Sequence, residues 1–136
     1  MSQLSKSFVA PPELIIALQE RSKPVVFGKD RVLFRQDDAP TSLYIVRKGT
    51  VRLTGEGAGD TPLSFRVGAG SLLGLPAVIG SKPYSLTAEA TESAELSEVS
   101  SADFEYLMQT VPMFSFQVLK VLAEEVRFAR HAFSEI

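Results

Sequence analysis

The chain has 136 residues, 45% hydrophobic and 22% charged, with no cysteine and a formal net charge of −2. That composition describes one globular domain able to bury roughly two thirds of its unfolded surface. It excludes a disulfide framework, thiolate metal sites, iron–sulfur clusters and a cysteine nucleophile. The 14 Lys and Arg against 16 Asp and Glu argue against nucleic acid as a partner, whose affinity rests on clustered positive charge. No apolar run approaches the roughly 18 residues that would cross a membrane. Met1 to Ala10 lack the basic start and apolar core of a secretory leader, so a cytoplasmic location is expected.

Pro11-Pro12-Glu13 opens a short helix over Leu14–Arg21, and Pro24 ends that segment. Short alternating or apolar runs then predict strands at Val25–Phe27, Arg31–Arg35, Leu43–Arg47, Val51–Thr54, Leu63–Val67, Leu72–Leu73, Ser85–Glu89 and Ala94–Glu98. Turn signals such as Gly28-Lys29-Asp30, Lys48-Gly49 and Gly68-Ala69-Gly70 separate them. The fold expected is mainly β with flanking helices: a jelly roll followed by a long C-terminal helix. Residues 1–136 then form a single domain, with an N-terminal helical segment to residue 23, a β-roll over 24–99, and helices over 100–136. Ser100 to Asp103 cap a helix over Phe104–Gln109, and Pro112 opens the last helix.

Along that last helix Leu119, Leu122, Val126, Ala129, Phe133 and Ile136 alternate three and four apart, the spacing of a coiled-coil seam. A second row, Val118, Val121, Phe128 and Ala132, lies beside it. The two rows make a stripe broader than one surface needs, so one is expected on the roll and the other on a second subunit. A single broad core-facing stripe is the alternative.

The segment Leu73-Gly74-Leu75-Pro76-Ala77-Val78, then Tyr84-Ser85-Leu86, has the outline of a phosphate-binding cassette. A glycine lets backbone approach a ligand, and exposed amides at such a turn can face an anion. The arginine that usually grips a phosphodiester is missing. The candidate pocket residues are Gly74, Leu75, Pro76, Tyr84, Ser85, Leu86 and Glu125.

The run Val32-Leu33-Phe34-Arg35-Gln36-Asp37-Asp38, then Ser42 to Leu53 with Gly49 after an apolar strand, resembles a signature of the cyclic-AMP receptor protein family. Gly70 to Ala90 resembles that family's second signature, and Phe104 to Arg130 its hinge and dimer helix. The resemblance implies a sensory roll and a homodimer through the C-terminal helix. It also implies a glutamate for the ribose where Leu75 stands, and an arginine for the phosphate where Tyr84 stands. On the same alignment Glu125 takes the place of a polar pocket residue on the helix. Losing both grips would cost about 4 kcal/mol, near a thousandfold in affinity. The family's DNA-binding helix-turn-helix follows the long helix, and the sequence ends at Ile136 without one, so a stand-alone domain is expected.

The reading is therefore a non-enzymatic regulatory domain with no cofactor, whose effector, if it has one, is not cyclic AMP bound in the usual way. Two alternatives stay open: a ligand-free module that recruits a protein partner, and a weak, atypical cyclic-nucleotide binder. A pocket packed shut by Leu75 and Tyr84 would favour the module; an open, polar-floored cavity beside Gly74 and Ser85 would favour the sensor. The lone histidine, His131, gives no metal-ligand set, and Glu89, Glu92, Glu95, Glu98 and Asp103 read as scattered solvated charge.

Overall fold

A computed structural model describes residues 4–5, 8–56 and 62–134, with side chains described as far as residue 123. The chain runs β1 (Leu4–Ser5), α1 (Pro12–Gln19), β2 (Lys23–Phe27), β3 (Val32–Phe34), β4 (Ser42–Lys48), β5 (Val51–Glu56), β6 (Pro62–Val67) and β7 (Leu72–Leu73). It continues through α2 (Leu75–Gly80), β8 (Thr87–Ala90), β9 (Ala94–Ser100), α3 (Ser101–Thr110) and α4 (Pro112–Ser134). The strands make two sheets, ordered β1-β6-β5-β8-β3 and β2-β9-β4-β7. Facing each other, they form the expected roll.

Period-2 alternation decides what each strand buries. On β4, Tyr44 and Val46 point between the sheets and join Phe34, Val51, Leu53, Tyr84 and Leu96. Leu43 and Ile45, on the other face, pack beneath the helices with Leu14, Leu18, Leu72, Phe104, Phe114 and Val118. Covered on both sides, β4 is buried over its first five residues and reads as a continuous apolar run. The β4–β5 turn needs Gly49: its φ is +90°, and a Cβ there would lie 2.7 Å from the Ser93 carbonyl oxygen.

Leu14 and Leu18, one turn apart, anchor α1 to the outer face of this sheet. Ser100 caps α3, its hydroxyl accepting from the Asp103 amide at 3.1 Å. Val111 leaves helical geometry at the α3–α4 junction, and Pro112 starts α4.

Three elements differ from the sequence expectation. Leu75 to Gly80 forms a six-residue helix, α2, where an apolar loop was one reading; a span so short carries too little periodicity to register. Strand β8 begins at Thr87, so Tyr84 and Ser85 belong to the loop before it. Strand β1, only two residues long, pairs in parallel with β6 at Leu4 and Arg66.

On α4 the two rows part. Val118 and Val121 are buried in the helix-side core, while Leu119 is 59% exposed. Leu122, assigned to the seam, is partly buried on that same core. Phe116 and Met113 extend the exposed apolar face toward the helix start, at 56% and 65% exposure. Val126, Ala129 and Phe133 lie outside the described side chains, as does Glu125, and Ile136 lies outside the described residues.

Candidate functional site

The cassette is built on Gly74. Strand β7 pairs with β4 through Leu73 and Tyr44, and the chain then turns at Gly74, whose φ is +90°, to start α2. Pro76 falls in the first turn of α2, where a missing amide costs nothing. Leu75 and Val78, three apart, face the helix-side core rather than the space between the sheets. Pro76 and Ser85 are exposed, and Leu86 packs on the edge of the inter-sheet core.

Tyr84 enters that core. Its ring stacks on Phe34 with centroids 4.0 Å apart and planes 13° apart, and Phe34 stacks in turn on Tyr44 at 6.1 Å. Phe27 meets Tyr44 edge-on at 6.0 Å, completing an aromatic column through the roll. The Tyr84 hydroxyl donates to the Ser42 carbonyl at 2.6 Å and accepts from the Thr41 and Ser42 amides, each at 3.1 Å. Its backbone is also fixed: the Asp37 amide donates to the Tyr84 carbonyl, and the Tyr84 amide to that of Asp38. A Cβ on Gly74 would sit 3.2 Å from the Tyr84 ring and 3.3 Å from the Ser42 carbonyl oxygen. Cassette turn, Tyr84 and β4 are thus in van der Waals contact.

Beyond Tyr84 the polar groups belong to β4 and β9. The Ser42 hydroxyl donates to Glu98 Oε2 at 2.8 Å, the Tyr44 hydroxyl donates to the same oxygen at 3.4 Å, and Lys23 Nζ stands 3.8 Å from Oε1. Burial, then the Glu98 carboxylate and Tyr84, push the Tyr44 hydroxyl well above the ordinary tyrosine range. The network holds one exposed lysine and no arginine. A phosphate placed here would meet a carboxylate and lack a paired donor.

Glu98 corrects the expectation of solvated charge. Its side chain is 21% exposed and accepts two hydrogen bonds. The signal was present: Ala94, Leu96 and Glu98 alternate, so Glu98 shares the inward face of β9. Phe34, Ser42 and Tyr44 were read as parts of the first signature and not as pocket residues; nothing local marks them as neighbours of Tyr84, which lies 40 to 50 residues further along the chain. Among the described residues no group of three or more His, Cys, Asp or Glu could hold a metal ion, and no helix is long and apolar enough to cross a membrane.

A two-sheet roll, with a glycine-started cassette helix between β7 and β8 and a helix pair behind it, has the architecture of a cyclic nucleotide-binding-type domain. The chain belongs to the cyclic nucleotide-binding domain family, whose model matches residues 24–111. It is 31% identical over 113 residues to the anaerobic regulatory protein of Aggregatibacter actinomycetemcomitans, covering 79% of this chain and 41% of that protein. It is 29% identical over 109 residues to the fumarate and nitrate reduction regulatory protein of Vibrio cholerae, covering 79% and 42%. The chain thus spans about two fifths of the length of these relatives. Among solved structures, the Thermus thermophilus catabolite activator protein superposes with a TM-score of 0.77 at 24% identity, covering 91% of this chain and 59% of that one. A cyclic nucleotide-binding domain from Methylobacillus flagellatus gives 0.74 at 19% identity, covering 90% and 72%. At these identities the structural matches show the fold.

Proposed function

We propose that this chain is a regulatory domain whose roll is a closed scaffold and whose output surface is the exposed face of α4. The observation that carries this reading is the seating of Tyr84: its ring is stacked on Phe34 and its hydroxyl is satisfied by the backbone of Thr41 and Ser42. A cyclic nucleotide in the cassette would have to displace this ring, leaving two amides and a carbonyl without their partner, and the described hydrogen bonds around Tyr84 include no guanidinium to replace it. The relatives named as regulatory proteins support a regulatory rather than an enzymatic role. Gly74, Leu75, Pro76, Tyr84, Ser85 and Leu86 then act as a latch that fixes α2 to β4, rather than as ligand contacts.

Isothermal titration with cyclic AMP and cyclic GMP up to millimolar concentration tests this reading. No saturable heat is expected. Saturable binding in the micromolar range would overturn the closed roll and restore a sensor in which backbone amides and Ser85 replace the missing arginine.

A second copy of the chain is the occupant proposed for α4. Met113, Phe116 and Leu119 present an exposed apolar row, and the residues that continue the heptad spacing, Val126 to Ile136, follow it along the sequence. Light scattering at micromolar concentration should give twice the mass of one chain; a single-chain mass would defeat the assignment.

A further inference from the structure

A recess of about 520 Å³ separates α2 from α3, within the range of sites that hold small organic molecules. Val78 forms one wall from α2; Phe104 and Met108, one turn apart on α3, form the other. Ser81, Ser101, Glu105 and Gln109 supply the polar rim. Glu105 is the one charged residue in the lining, and the Gln109 side-chain amide donates to its carboxylate at 3.4 Å. An apolar slot under a lone carboxylate selects a molecule with an apolar body and a positive head, and disfavours an anion.

The recess also touches the proposed output. Phe104 meets Phe114 of α4 edge-on, with ring centroids 5.7 Å apart. The opposite wall, α2, starts at the Gly74 turn that Tyr84 holds. A molecule wedged between α2 and α3 therefore bears on α4 through one aromatic contact. It shifts the α4 surface by as much as its affinity differs between the two helix arrangements.

We propose that the recess between α2 and α3 is a binding site for a small amphiphilic cation, an ammonium group on an aryl or alkyl body, coupled to α4 through Phe104 and Phe114. The proposal rests on the closed-roll reading, since it gives a regulatory ligand a place outside the roll.

The test is an amide-resolved NMR titration of the whole chain with phenethylammonium, and separately with phenylacetate, its charge-reversed counterpart. Phenethylammonium should give saturable shifts at Ile79, Ser81, Glu105 and Gln109, carried on to Phe114. Phenylacetate should bind about two- to fivefold more weakly, as expected for one exposed carboxylate. Glu105→Gln, an exposed change that leaves the core untouched, should erase that preference. Equal binding of the two probes overturns the cation site, as does an unchanged preference in Glu105→Gln. The absence of shifts at millimolar probe overturns the recess as a site and leaves the closed roll standing, which the cyclic-nucleotide titration tests separately. Shifts confined to Gly74, Ser85 and Leu86 overturn both.

Discussion

The ring of Tyr84 lies parallel to that of Phe34, 4.0 Å away, although 50 residues separate them along the chain. This contact joins the loop after the cassette helix to strand β3, and the hydroxyl at the far end of the ring joins it to β4. The two halves of the contact make separable predictions. Tyr84→Phe keeps the stack but leaves the Thr41 and Ser42 amides without their acceptor, at a cost of about 1–3 kcal/mol. Tyr84→Ala removes the ring as well and should cost about 3–5 kcal/mol. Urea unfolding of the three proteins measures both; a Tyr84→Phe midpoint equal to that of the parent would show that the hydroxyl contacts carry no stability.

Gly49 and Gly74, the positive-φ glycines that follow β4 and β7, should differ in tolerance. At Gly49 an added Cβ meets backbone on two sides, 2.7 Å from the Ser93 carbonyl oxygen and 2.9 Å from the Ala94 Cα. At Gly74 it meets a side chain at 3.2 Å and the Ser42 carbonyl oxygen at 3.3 Å. Both substitutions carry the cost of φ near +90°, about 1–3 kcal/mol. Gly49→Ala adds a clash that only backbone movement relieves. Thermal unfolding should therefore rank Gly49→Ala below Gly74→Ala, and the reverse order would mean that the cassette is tighter than the β4–β5 turn.

The same residues explain what could be read from the sequence. The roll was legible because its strands alternate or run apolar between strong turn residues, and Gly49 marks a turn that glycine alone fits easily. The cassette was legible as a place, because Gly74 and the Tyr84-Ser85 pair keep their spacing. Its chemistry was not. Whether Tyr84 bounds a cavity or fills it depends on Phe34 and Ser42, which the pairing of β3 with β8 and of β4 with β7 brings to it. Helix α2 escaped notice for a local reason: six residues give less than two turns. Leu122 was assigned to the seam because a row of three-four spacings cannot say where one packing surface ends and the next begins.

Tyr44 predicts a loss of stability in alkali. Burial first, then Glu98, then Tyr84 raise its folded affinity for the proton above the unfolded value of 10.0. Above about pH 10 the unfolded chain releases this proton while the folded chain keeps it, so the folded state binds more protons and stability falls as pH rises. Below that pH the contribution is fully present. Tyr44→Phe should cost about 0.5–1.5 kcal/mol at neutral pH through the lost bond to Glu98, and should flatten the decline above pH 10. Denaturant midpoints at several pH values between 8 and 11 check it; parallel curves for the two proteins would remove Tyr44 as the cause.

Adjacent residues on α4 should fail in different assays. Val118 is fully buried beneath the helix, so Val118→Ala loses packing inside each subunit and should cost about 2 kcal/mol of unfolding free energy. Leu119, on the neighbouring row, is 59% exposed, so Leu119→Glu should change the stability of a single chain by less than about 0.5 kcal/mol. In a symmetric dimer the same substitution places two carboxylates in one apolar seam, and association should weaken by more than about a hundredfold. Phe116→Ser, one turn earlier and 56% exposed, should act in the same direction. Sedimentation measurements at several concentrations, paired with urea unfolding at low concentration, separate the two effects. A Leu119→Glu protein that unfolds like the parent yet keeps the dimer mass would place the interface elsewhere. One that loses stability as a monomer would return Leu119 to the core-facing stripe.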